Sequence, residues 1–182
     1  MKKVIVPLAA GFEEIEAVTV IDVLRRAGIS VTTVSISGHI EVEGSHGITV
    51  KADKLFSEAA FDEADMIVLP GGMPGSANLN NHEGLRGKIV EFSEQGRYLG
   101  AICAAPLVLG ELGLLKNRKA TCYPGFENHL KEAIVSTEAV VQDKNIVTGR
   151  GAGKALAFSL RLTEVLAGKH VADTLAAKMI AG

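Results

Sequence analysis

Cys103 is the residue in this chain best placed to do chemistry. It lies within "YLGAICAAPLVLG" (Tyr98 to Gly110), where an apolar run ends on the sulfur and a small-residue, helix-forming run starts immediately after it. A strand that turns sharply into a helix exposes the residue at the bend, and the first N–H groups of the helix aim at its side chain. Those donors and the helix dipole favour thiolate, the nucleophilic form, so the thiol is expected to titrate well below the roughly 8.5 of a free cysteine. A small cysteine filling a tight turn fits the same spacing, and the bend alone leaves both readings open.

Two other stretches carry chemistry-bearing groups. In "GFEEIEA", Glu13, Glu14 and Glu16 crowd the first turn of a helix. Negative charge suits the dipole there, which accounts for two of them. Glu16 differs, because at helical spacing it continues into Val20, Val23, Leu24 and Ala27, an apolar face. A carboxyl on that face is desolvated, has a raised pKa and can donate a hydrogen bond while protonated. In "LPGGMPG" (Leu69 to Gly75), paired glycines after a strand permit close backbone approach and leave N–H groups pointing at a ligand; an ordinary tight turn would look the same.

The elements that must position these groups alternate along the chain. Strands are predicted over Lys2 to Leu8, Ser30 to Ser37, Ala64 to Gly72 and Tyr98 to Ile102, with further short strands in "KATCYP" and "AVVQDKNIVTG". "HIEVEGSHGITVKAD" alternates apolar and polar residues about a Gly-Ser-His-Gly turn, an antiparallel excursion. Helices are predicted over Glu13 to Ala27 (stopped by Gly28), Glu83 to Gln95, Ala104 to Leu112, Lys154 to Ala167 and Val171 to Ile180. This alternation implies a doubly wound α/β sandwich, mostly parallel, with ligand chemistry at the carboxyl ends of the strands.

Bulk properties exclude several function classes. The 182 residues are 47% apolar, enough for one domain with a substantial core spanning 1–182. A net charge of −2 without a basic block, 4% aromatics and no Trp argue against nucleic acid. No apolar run is long enough for a bilayer, and "MKKVIVPL" reads as a first strand and not a signal peptide, so a cytoplasmic location is expected. Two unclustered cysteines make no disulfide framework. His39, His46, His82, His129 and His170 show no ligand spacing, so neither metal nor cofactor is expected. "TGRGAGKA" is one residue too short between Gly149 and Gly153 for a phosphate loop, lacks Ser or Thr after Lys154, and reads as a helix start.

Taken together, "GFEEIEAV", "VLPGGMPGSANL", "AICAAP" and "TGRGAG", in that order over most of the chain, resemble the ThiJ/PfpI family in its DJ-one-like branch of Parkinson-disease deglycases. The resemblance implies a flavodoxin-like, class I glutamine-amidotransferase-like sandwich that forms a homodimer. It implies a reactive Cys103, a protonated Glu16 beside it, and oxyanion donors in the Gly72 and Ala104 N–H groups. The implied activity is a cofactor-independent glyoxalase or deglycase acting on methylglyoxal, glyoxal or their early adducts. A redox-stress sensor or holdase chaperone working through oxidation of Cys103 is the alternative, and a thiamine-related role a third. Two departures stand out. "TCYPGF" puts Tyr123 where the branch has a histidine proposed as base, and a phenol with a pKa near 10 is a poor base at neutral pH. "GSHGITV" puts His46 where the branch's human member has an arginine that approaches the site across the dimer, so His46 is the auxiliary candidate for the missing imidazole. Ala104 after the cysteine, where peptidase members have histidine, argues against peptidase activity.

Overall fold

The computed structural model describes residues 1–181. Its strands and helices follow in the order β1 (Lys3–Leu8), α1 (Glu14–Arg26), β2 (Ser30–Ser35), β3 (Glu41–Glu43), β4 (Thr49–Lys51) and β5 (Lys54–Leu55). The middle of the chain forms β6 (Met66–Leu69), α2 (Gly75–Asn81), α3 (Glu83–Glu94), β7 (Tyr98–Ile102) and α4 (Pro106–Glu111). It closes with β8 (Lys119–Ala120), β9 (Ile134–Val135), β10 (Val140–Asp143), β11 (Ile146–Gly149), α5 (Ala155–Ala167) and α6 (Lys169–Lys178).

Seven strands form the central sheet in the order β10-β11-β7-β6-β1-β2-β5. All neighbours in it are parallel except the β10–β11 hairpin. Strands buried on both faces must be apolar throughout, and here successive residues feed opposite layers. Ile5, Ile67, Leu69, Leu99 and Ala101 pack with Leu79, Ile89, Phe92 and Val108 from α2, α3 and α4. Val4, Val6, Leu8, Met66, Val68 and Ile102 pack on the other side with Val20, Leu24, Phe158 and Leu162 from α1 and α5. Each such fully buried side chain contributes roughly 1.5–3 kcal/mol. The expected flavodoxin-like sandwich is therefore what the chain forms.

The chain leaves β1 toward β2 and β5 on one side and returns to β6, β7 and β11 on the other. That reversal opens a crevice at the carboxyl ends of β1 and β6. The loop into α1, the glycine loop after β6 and the end of β7 all meet there.

Three expectations need correction. The helix after Cys103 begins at Pro106 and not at Ala104, because the proline ring fixes the first helical φ and two residues of turn precede it. Seven residues after the glycine loop form α2, whose sequence "GSANLNN" lacks strong helix formers; the buried Ser76 and Leu79 dock it on the sheet. "KATCYP" contributes only Lys119–Ala120, paired with β9 in a separate ladder, while the Thr121 N–H leaves it to donate to Thr148 Oγ1 at 3.0 Å. The β3–β4 pair is antiparallel as expected, with Glu41 opposite Lys51.

Candidate active site

Cys103 directly follows β7 with φ 63°, in the left-handed region that a non-glycine residue rarely adopts. Such strain costs on the order of 1–3 kcal/mol and needs surroundings that enforce it. Here the Cys103 N–H donates to Gly149 O at 2.9 Å and its carbonyl accepts the Tyr123 N–H at 2.8 Å. Both backbone groups are thus tied to neighbouring segments, and the side chain is turned out of the sheet, partly exposed.

Glu16 stands against it. It is fully buried in the first turn of α1, on the face shared by Val20, Val23 and Leu24. The Gly71 N–H donates to its Oε2 at 2.8 Å. Oε1 is buried without a hydrogen-bond partner, and the Cys103 thiol stands beside the carboxyl. Gly71 makes this meeting possible. A Cβ there would lie 2.5 Å from Glu16 Oε2 and 2.6 Å from Cys103 Cβ. Gly72, at φ +89°, packs equally tightly, with a Cβ falling 2.4 Å from the Glu13 nitrogen.

Burial pushes Glu16 up to about 7, aided by the nearby Glu13 charge and opposed by its hydrogen bonds with Cys103 and Gly71. Burial and the Glu16 carboxylate push the Cys103 thiol up to about 12, although the Ala104 and Gly72 N–H groups pull toward thiolate. The expectation of a depressed thiol pKa is therefore corrected. The helix expected to lower it starts two residues too late, and burial together with the carboxylate beside the sulfur outweighs two N–H donors. What the site holds is a carboxyl titrating near neutrality beside a thiol that burial and that carboxyl hold in its protonated form.

The other two acids are not idle surface charges. Glu14 is buried: the N–H groups of His46 and Ile48 donate to its Oε1 at 2.7 and 3.4 Å, and His46 Nδ1 lies 2.9 Å from Oε2. Burial would push Glu14 up, but the His46 side-chain and backbone hydrogen bonds hold it down to about 2. The same bond and charge raise the pKa of His46. The imidazole is thus spent on Glu14 within its own chain, and that contact favours its protonated form. Glu13 accepts the Glu16 N–H on Oε2 at 2.8 Å. Glu13, Glu14 and His46 are close enough to offer ligand atoms to a metal ion, yet these hydrogen bonds already occupy Glu14, the His46 Nδ1 and one Glu13 oxygen. Tyr123 is half exposed and its ring lies over Gly151, where a Cβ would approach Cδ2 to 3.2 Å.

Of the residues singled out from sequence, Cys103, Glu16, Gly72 and Ala104 meet at one point, Tyr123 adjoins it through its backbone, and His46 is drawn to Glu14. Treating Glu13 and Glu14 as dipole charges misses their partners, and spacing marks Gly71 only as one of a glycine pair. No local pattern could find Glu14's role, since its partners lie 32 and 34 residues away.

Comparison with known proteins agrees with this fold. Residues 2–165 match the model of the DJ-1/PfpI family. Protein DJ-1 homolog B of Arabidopsis thaliana is 42% identical over 181 residues, 98% of this chain and 41% of that protein. The chain thus spans less than half of that relative's length. A deglycase of Pyrococcus abyssi is 32% identical over 171 residues, covering 90% of this chain and 99% of that one. The structure of oxidised DJ-1 from Toxoplasma gondii superposes with a TM-score of 0.94 at 41% identity, covering 99% of this chain and 98% of that one.

Proposed function

Because the chain belongs to the DJ-1/PfpI family, we propose that it is a cysteine-dependent, cofactor-free glyoxalase or deglycase acting on small 2-oxoaldehydes or their early adducts. The observation that carries this reading is the Cys103–Glu16 pair, a strained nucleophile in contact with a buried carboxyl poised near 7. A general base with a pKa near the working pH is the most effective kind. The Pyrococcus relative named a deglycase supports the deglycase side of this reading.

In this mechanism the Glu16 carboxylate takes the thiol proton as sulfur adds to the aldehyde carbon. The developing oxyanion is met by the Gly72 and Ala104 N–H groups and then receives that proton from Glu16. Glu16, ionised again, removes the hydrogen from the former aldehyde carbon and returns it to the adjacent one. The hydroxyl proton on the first carbon's oxygen meanwhile passes to the oxygen of the adjacent carbon. A thioester of a 2-hydroxy acid results, and water releases the acid and restores the thiol. Glu16 thereby covers the step that a separate imidazole would perform, which accounts for Tyr123 at that position. Purified protein is expected to release D-lactate from methylglyoxal and glycolate from glyoxal, with kcat/KM rising through about pH 7 as Glu16 ionises. Enzymatic detection of both acids across pH checks this, and no release at any pH overturns it.

If instead an imidazole limits the rate, Tyr123→His should raise turnover about a hundredfold, the lower end of what general-base assistance contributes. With Glu16 as the proton shuttle the change stays within about threefold, and His46→Ala leaves kcat within the same range, because its ring is engaged by Glu14 at 2.9 Å. Steady-state rates of the two variants decide between these outcomes.

A homodimer fits the surface. Ile15 (59% exposed), Val18 (48%) and Ile48 (57%) are large apolar side chains left uncovered beside Glu14 and Glu16. Light scattering at micromolar concentration should give twice the chain mass, and Ile15→Asp should halve it. A redox role for Cys103 is the second reading, favoured by the oxidised form in which the Toxoplasma relative was solved. Mass spectrometry after peroxide treatment would then find two oxygens added at Cys103 in a protein without turnover.

A further inference from the structure

We infer that Glu13 is a positioning residue for the proposed reaction: it holds Glu16 and the Gly71 amide in a closed hydrogen-bonded ring against Cys103. The inference rests on the reading of Glu16 as the proton shuttle. The ring has three links. The Glu13 N–H donates to Gly71 O at 2.9 Å, the Gly71 N–H donates to Glu16 Oε2 at 2.8 Å, and the Glu16 N–H donates to Glu13 Oε2 at 2.8 Å. One residue thus engages both the backbone under the shuttle carboxyl and the loop that supplies its donor. The arrangement has no slack, since Cβ atoms at Gly71 and Gly72 would lie within 2.6 Å of Cys103 Cβ and 2.4 Å of the Glu13 nitrogen, respectively.

An ordinary N-cap needs only a short oxygen-bearing side chain, and Ser, Thr, Asp or Asn is the usual choice. A glutamate here brings a charge on a longer arm. Its side chain is largely buried, at 13% exposure, with its second oxygen 3.9 Å from His46 Nδ1. The titratable groups facing Glu16 are Cys103 from the end of β7 and Glu13 from its own cap, with Glu14 and His46 beyond Glu13. A negative charge at Glu13 favours the protonated form of Glu16. Glu13 therefore fixes where the shuttle stands and adds to the burial that raises the pH at which it ionises.

The test separates the two effects. Glu13→Gln keeps an oxygen that can accept the Glu16 N–H but removes the charge, whereas Glu13→Ala removes both. The protonated Glu16 carboxyl gives an infrared carbonyl band that a Glu16→Gln spectrum identifies by its loss. Titrating that band needs no substrate. In Glu13→Gln the midpoint is expected to fall by about half a pH unit or more, with kcat within about fivefold of the parent. In Glu13→Ala, kcat is expected to fall about tenfold or more, with KM little changed and the loss largely restored in Glu13→Gln. Should Glu13→Ala fail to fold, the Glu13→Gln midpoint alone decides. An unmoved midpoint in Glu13→Gln overturns the role of Glu13 while leaving Glu16 as the shuttle. Absence of the Glu16 band from the parent protein at pH 5 overturns the shuttle itself, and with it this inference.

Discussion

Cys103→Ser is expected to abolish release of 2-hydroxy acids, with kcat/KM down by a thousandfold or more. Oxygen replaces sulfur in the same rotamer space, so binding and fold are preserved while nucleophilicity is lost. A carboxylate titrating near 7 can take a proton from a thiol as the sulfur attacks, but a serine hydroxyl is far less acidic. The oxyanion donors at Gly72 and Ala104 remain, and alone they have nothing to stabilise unless an adduct forms. Stability distinguishes this loss from unfolding. The backbone at φ 63° stays strained in Cys103→Ser and Cys103→Ala, so neither should gain stability from relief of strain. Cys103→Gly, which adopts that φ without penalty, should be about 1 kcal/mol more stable than Cys103→Ala and equally inactive. Urea denaturation together with product assays reads both. Turnover retained in Cys103→Ser would remove the covalent step.

How much of this was legible in the chain depended on the range of the interaction. The layers were readable because strand and helix periodicities are local. Val4, Val6 and Leu8 against Ile5, and Glu16 in line with Val20 and Val23, follow from spacing alone, and the structure places them as the spacing requires. The elbow was readable for the same reason. What the cysteine does electrostatically was not. Its pKa depends on a carboxylate contributed from 87 positions earlier, as 103 minus 16 gives, and on how deep the pair lies. A helix-dipole argument takes the local half of that balance and misses the larger half. Glu14 shows the same limit. Beside Glu13 it reads as one more acid in a first turn, yet the β3–β4 turn folds over it and converts it into a buried anchor for His46. The weak helix α2 was invisible because its formation rests on docking, with "GSANLNN" offering little of its own.

Glu16→Gln should lower turnover by a hundredfold to ten-thousandfold, the range for removing a proton-transfer group, while leaving Cys103 open to alkylation. The amide can still accept the Gly71 N–H on its oxygen and fill the same buried space, but it neither takes the thiol proton nor carries one between carbons. Its effect on stability has the opposite sign. Glu16 has a folded pKa near 7 against an ordinary 4.5, so the folded state holds the proton more tightly than the unfolded state. Stability from this group is complete below about pH 4.5, declines as pH rises, and is lost once pH passes 7. The loss is about 3 kcal/mol at most, from the linkage of pKa to folding. In the parent protein a thermal melt should therefore weaken between pH 5 and 8, and Glu16→Gln, with nothing to ionise, should lack that slope and be the more stable of the two at pH 8. Removing the carboxylate also removes the repulsion that raises the thiol, so alkylation of Cys103 by iodoacetamide should begin at lower pH than in the parent. Product release, melting and alkylation against pH thus move in three different directions for one substitution. A variant that melts like the parent at every pH and still turns over would mean that Glu16 is neither buried as a titrating acid nor the proton shuttle. A variant that is more stable and inactive identifies the carboxyl as one whose burial weakens the fold and is retained for the reaction.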